Sequence, residues 1–128
     1  MKNNLYFIFQ AIINLPFGLL LLLSPAALYE VQFIGPFELD AYSDAISRAY
    51  GAVLTACGTA NLFRAFAKTK HDGYYLVLIG LVGGLTYVFV DIHARLQGIM
   101  SPASLGTLVS VIILSVWSLM ILLKKPKT

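Results

Sequence analysis

Residues 73–90 read GYYLVLIGLVGGLTYVFV, a run without a single charge. A helix needs about 20 apolar residues, at about 1.5 Å of rise each, to cross a hydrocarbon core about 30 Å thick, so this run predicts a membrane-crossing helix. Working outward, three more stretches share its character: Ala49 to Phe63 before it, Leu5 to Leu23 near the N-terminus, and Leu105 to Leu123 near the C-terminus. With the flanking residues that continue each pattern, the expected spans are about 4–24, 44–67, 73–97 and 102–123. The expected fold is a single all-α domain, a four-helix transmembrane bundle.

The charges orient it. Lys2, then Arg64, Lys68 and Lys70, then Lys124, Lys125 and Lys127 flank alternate ends of the four stretches. Glu30, Glu38, Asp40, Asp44 and Asp91 gather at the opposite ends. Because Lys and Arg are retained on the cytoplasmic side of membrane helices, the expected protein is a multi-pass integral membrane protein, with both termini and the Lys68 to Asp72 turn in the cytoplasm.

With 128 residues, 59% of them hydrophobic and 12% charged, the chain has room for four spans and their loops but not for a separate soluble domain. The formal charge of +3 does not indicate nucleic-acid binding, because the basic residues sit beside membrane spans rather than on a face with aromatic platforms. Membrane lipids are the expected partners. Cys57 is the sole cysteine, so no internal disulfide forms. Ser24-Pro25-Ala26-Ala27 resembles a signal-cleavage stretch, but the apolar run before it exceeds the usual signal length, and retention of the first helix is expected.

Polar residues inside the spans predict inward faces. Gln10 and Asn14 lie one turn apart before Pro16, which predicts a kink; Asn61 lies at a depth comparable with Gln10, so an amide contact between the first two spans is expected. Gly51, Thr55, Gly58 and Thr59 form a small-residue stripe, and Gly80 with Gly84 a GxxxG pair. Such residues let helix backbones approach closely, within the chain or against a protein partner or second copy. The 24–43 connection is expected to lie at the outer interface, broken by Gly35-Pro36. Ser101-Pro102 reads as the opening of the last helix, with Ser104, Thr107, Ser115 and Ser118 on one side of it.

The candidate ligand-binding constellation is Asp44, Arg48, Asp91, His93 and Arg95, with Tyr87 one turn before Asp91. Counted from the basic belt, Arg48 and Asp91 reach similar heights and could pair across a hairpin of spans two and three. Asp44 with Arg48 and Asp91 with Arg95 are also one-turn pairs within their own helices. His93 faces away from Asp91, and His71 falls on the far side, so no catalytic residues and no metal ligands are assigned. No cofactor is implied.

From span two onward, Arg48-Ala49-Tyr50-Gly51, Tyr74-Tyr75 and Asp91 give the chain a resemblance to the ergosterol-biosynthesis scaffold family and to uncharacterised bacterial four-helix membrane families. Where the scaffold family has a Trp soon after its glycine and a His one turn before its acid, this chain has Val53 and Tyr87. The resemblance implies a non-catalytic adaptor that holds enzymes or lipids through its bundle. The function expected is thus a scaffold, accessory subunit or lipid-binding module. The competing expectation is an oligomeric small-molecule transporter or membrane-embedded enzyme with an outward-facing polar pocket, which would contact both Arg48 and Asp91.

Overall fold

The computed structural model describes residues 4–36, 38–67 and 73–124. Lys2, the turn from Lys68 to Asp72 with His71, and the basic residues Lys125 and Lys127 lie outside the described residues. The described chain is helical: α1 (Asn4–Leu23), α2 (Pro25–Gln32), α3 (Ala41–Phe66), α4 (Tyr74–Leu96), a 3-10 turn (Pro102–Ser104) and α5 (Leu105–Leu123).

Local chemistry sets the boundaries. α1 runs unbroken through Pro16. Pro25 then occupies the first turn of α2, where its fixed φ and missing N–H cost nothing. α2 is a helix within the expected loop, and it ends ahead of Gly35-Pro36, where Phe33 turns extended. Asp40 caps α3 by accepting from the Ser43 backbone N–H at 2.7 Å. Gly73 precedes α4 with φ +67°, a left-handed conformation that glycine takes without strain. Ser101 and Pro102 open the 3-10 turn that leads into α5.

Among the described residues, three segments are long and apolar enough to cross a membrane: Asn4–Leu23, Tyr74–Leu96 and Pro102–Leu123. α3 is longer than any of them but carries Asp44, Arg48 and Arg64 among many Ser, Thr, Ala and Gly residues, which dilute its hydropathy. The polarity of the molecule is inverted relative to a water-soluble bundle. Gln10, Asn61, Asp91, Ser104, Ser115 and Ser118 are buried, whereas Ile12, Leu19, Phe63, Val82, Phe89 and Ile113 are exposed. An outer surface of that kind is untenable in water and suited to lipid.

The long helices pack as two antiparallel pairs. α1 and α3 interlock along their length: a Cβ added at Gly51 would lie 2.5 Å from the Leu22 backbone nitrogen, and one at Gly18 would lie 2.6 Å from that of Thr55. Gly58 sits against Leu15 in the same way. Small residues thus bring the backbones together where no water-driven force operates between helices. α4 and α5 pair through Gly84, which faces Ser115. The pairs join at the end of the molecule where α1 begins and α5 ends, here the basic end, through Tyr6, Phe7, Ala65, Val77, Leu114 and Ile121.

Consecutive position does not make α3 and α4 neighbours. They run antiparallel yet barely touch, because α3 presents its small-residue stripe to α1. The GxxxG pair of α4 likewise serves two partners within the chain, Gly80 meeting Tyr6 and Gln10 of α1, and Gly84 meeting α5.

Candidate functional site: an apolar cavity between the helix pairs

The separation of α3 from α4 opens a cavity of about 690 Å³. On α3 it is lined by Tyr50, Val53, Leu54, Cys57 and Asn61, a single stripe at helical spacing, turned away from the glycine stripe that grips α1. On α4, Ile79, Gly80, Gly83, Tyr87, Val90, Asp91 and Ala94 form the opposite wall. α5 adds Thr107, Val111 and Leu114. The walls are mostly apolar, and the polar residues stand toward the two ends.

At the basic end the floor is a directed hydrogen-bond chain. Ser118 Oγ donates to the Leu114 carbonyl at 2.8 Å, which commits its only proton. The Tyr6 hydroxyl, 2.7 Å from Ser118 Oγ, must therefore be the donor of that pair. Gln10 Nε2 donates to the Tyr6 oxygen at 2.8 Å, and Asn14 Nδ2 to Gln10 Oε1 at 3.1 Å. Tyr6 is fully buried, and Trp117 packs edge-on against its ring. The chain ties α1 to α5 and seals this end. Asn61 stands apart from it: its Nδ2 donates to the Cys57 carbonyl at 2.8 Å, while its Oδ1 is buried with no hydrogen-bond partner among the described residues. The expected Gln10–Asn61 amide contact is not made, since Gln10 is engaged by Tyr6 and Asn14.

At the other end, here the loop end, α2 lies across the opening as a cover. Tyr29 Oη meets Ser47 Oγ of α3 at 2.6 Å, and Gln32 Nε2 donates to Thr107 Oγ1 of α5 at 3.1 Å. The chain after α2 is also zipped to the α4–α5 connection, with the Ile34 N–H donating to the Ile99 carbonyl and the Ser101 N–H to the Gln32 carbonyl, each at 2.9 Å. One element thus bridges α3 and α5 where α3 and α4 leave a gap.

Among the described residues the ion pairs are those within helices, and the cross-hairpin pair of Arg48 and Asp91 is not made. Arg48 Nε donates to Asp44 Oδ2 at 2.7 Å, and its Nη1 to the Leu22 carbonyl at 2.7 Å. Asp91, with a side chain 1% exposed, accepts from Arg95 Nε at 2.6 Å. Arg95 Nη2 also donates to Ser104 Oγ at 2.7 Å, fastening the end of α4 to the turn that opens α5. Arg48 is held at α1, while Asp91 is held by Arg95 of its own helix, so the heights match but the directions do not.

Asp91 and Tyr87 line the cavity; Asp44, Arg48, Arg95 and His93 do not. His93 is exposed, with its ring 3.1 Å from the Gln97 amide. Gly51, Thr55, Gly58, Gly80 and Gly84 stand at helix contacts within the chain. Glu30 of α2 and Glu38 are exposed, and Asp40 serves as the α3 cap. Asn61 and the α2 latches Tyr29 and Gln32 complete the site. Asn61 was marked in the sequence as an amide in an apolar span, but nothing there marks Gln32, whose partner is 75 residues away.

A largely apolar cavity with a few polar groups at its ends has the shape and polarity that suit an apolar molecule. Its carboxylate is already neutralised by Arg95, and among the described residues no group of three His, Cys, Asp or Glu is placed to hold a metal. Compared with family models, curated proteins and solved structures, the chain matches none.

Proposed function

We propose that the protein is an integral membrane four-helix bundle that binds a membrane lipid between its helix pairs, as a non-catalytic lipid-binding or scaffold module. In this reading α1, α3, α4 and α5 all cross the bilayer, with both termini cytoplasmic. α3 crosses because it is interlocked with α1 from Gly51 to Ala65; an α1 embedded in lipid carries α3 with it. The observation that carries the reading is the apolar cavity of about 690 Å³, a size typical of sites for small ligands. The gap between α3 and α4 offers lateral entry from the bilayer.

The transporter or enzyme alternative asks for a pocket touching Arg48 and Asp91 together, whereas this cavity touches Asp91 alone. Protein partners or a second copy would have to use exposed faces, since the small-residue stripes are taken up inside the chain. Native mass spectrometry of the full chain released from nanodiscs tests the proposal. Retention of about one lipid by the wild type and its loss in Gly83→Phe, which fills the cavity from the centre of the α4 wall, is the expected result. Equal lipid retention by the two would contradict it.

A further inference from the structure

Three observations define the chemistry of the occupant beyond its being a lipid. The first is shape. Tyr50 to Asn61 on α3 spans about 16 Å, and Ile79 to Ala94 on α4 about 22 Å, so the cavity is a slot along the helix axes rather than a sphere. An elongated molecule fits it.

The second is charge. Among the described residues no Lys, Arg or His lines the slot, and Asp91, its single carboxylate, is paired with Arg95. Nothing there would neutralise a phosphate or meet an ammonium. Burying an unpaired charge in such a place is prohibitive, so the head group is neutral.

The third is the orphaned acceptor. Asn61 is 4% exposed, stands in the wall at the basic end, and its Oδ1 has no partner while its Nδ2 is committed to the Cys57 carbonyl. Leaving a buried carbonyl oxygen unpaired is costly, and turning the asparagine about its soft terminal torsion to face that oxygen to the lumen exchanges the Nδ2 bond to Cys57 for one from a ligand. The neighbouring amide of Gln10 is already engaged at both its oxygen and its nitrogen. At Asn61 the open group is thus an acceptor, which a ligand hydroxyl can serve.

We infer that the cavity binds a neutral lipid alcohol, its hydroxyl donating to Asn61 Oδ1 at the basic end and its apolar body lying along Val53, Leu54, Gly83 and Val111 toward α2. The inference rests on the lipid-binding reading above and specifies its ligand class. The hydroxyl serves an acceptor that the fold leaves unpaired, and the tail fills the gap between α3 and α4. Asn61 is a ligand-positioning residue.

The test uses the full chain in nanodiscs with two photoreactive probes, a hexadecanol carrying a mid-chain diazirine and its methyl ether, with labelled residues mapped by mass spectrometry. The alcohol is expected to label cavity residues of α3 and α4 about five- to tenfold more than the ether, the loss expected when one hydrogen bond is absent. Asn61→Leu should reduce alcohol labelling to the ether level while eluting and melting as a folded protein; Asn61→Asp, protonated at low pH, should restore part of it. Gly83→Phe should suppress both probes. Equal cavity labelling by alcohol and ether in the wild type, or undiminished alcohol labelling in Asn61→Leu, would overturn the lipid-alcohol inference and leave the lipid-binding reading standing. Labelling confined to outward-facing residues such as Phe63 and Phe89 would overturn both.

Discussion

Arg48 Nη1 donates to the backbone carbonyl of Leu22 at 2.7 Å, joining the first turns of α3 to the last turn of α1 across 26 residues of chain. The final carbonyls of a helix have no partner within it, and a guanidinium is well shaped to supply one while keeping a second arm for a carboxylate. Arg48 therefore closes the α1–α3 pair at the loop end, and this engagement turns it away from Asp91.

The two ion pairs should respond unequally. Asp91→Ala strands the Arg95 guanidinium, 22% exposed, beside a buried wall and should cost about 2–4 kcal/mol. Asp44→Ala removes a partner from an exposed arginine that keeps its carbonyl contacts, so the loss should be much smaller. Arg48→Lys, unable to serve carboxylate and carbonyl in the same geometry, should lower the melting temperature more than Asp44→Ala does. Thermal unfolding in one detergent ranks all three.

Glycine substitutions should divide by what a Cβ would meet. At Gly51 it would press on the backbone of α1, so Gly51→Ala should destabilise by about 1–3 kcal/mol or more and Gly51→Leu should prevent pairing of α1 with α3. At Gly83 and Gly106 the space is open, and alanine there should leave stability within about 1 kcal/mol of wild type. Yields of monodisperse protein and unfolding midpoints check the contrast.

The Tyr6–Ser118 bond joins residues 112 apart and is the main polar tie between α1 and α5. Tyr6→Phe and Ser118→Ala should each destabilise, with a coupling of about 0.6–1.7 kcal/mol in a double-mutant cycle, the range of hydrogen bonds between membrane helices. Coupling near zero would detach the floor of the cavity from the stability of the bundle.

Asp40 supplies a pH response at the start of α3. The Ser43 backbone N–H holds its carboxyl below the usual carboxylate range. A carboxylate whose folded pKa is depressed stabilises the fold fully above its ordinary unfolded value, about 3.9, and loses that stabilisation as pH falls through the lower folded value. Protease cleavage between Glu38 and Asp44 should therefore accelerate at strongly acidic pH in the wild type. In Asp40→Asn, which caps without titrating, that acceleration should disappear.

Much of this fold is legible in the sequence because membrane helices must satisfy their backbones internally, so an uncharged run of sufficient length leaves little choice. α1, α4 and α5 are marked in this way, and the Gly51 to Thr59 stripe marks the close face of α3 before any partner is known. The pairs Asp44–Arg48 and Asp91–Arg95 follow from helical spacing. What spacing does not contain is the direction each helix turns. A common height for Arg48 and Asp91 allows a bond, but rotation about the helix axes sends Arg48 to the Leu22 carbonyl and leaves Asp91 to Arg95 of its own helix. The cavity is hidden for the same reason: it arises where α3, gripped by α1, fails to reach α4. The cover formed by α2 depends on Gln32 and Thr107 meeting across α3, α4 and the 3-10 turn, which local pattern does not encode.

The crossing of α3 decides the account, and the parity of spans makes it measurable. Four crossings place residues 2 and 127 on one side of the membrane; three place them on opposite sides. Lys2→Cys and Lys127→Cys, each in a Cys57→Ser background, should both react with a membrane-impermeant maleimide in inverted vesicles and both be protected in right-side-out vesicles. Reaction of one from each side would contradict the four-helix membrane bundle and, with it, a cavity walled by α3 and α4 within the bilayer.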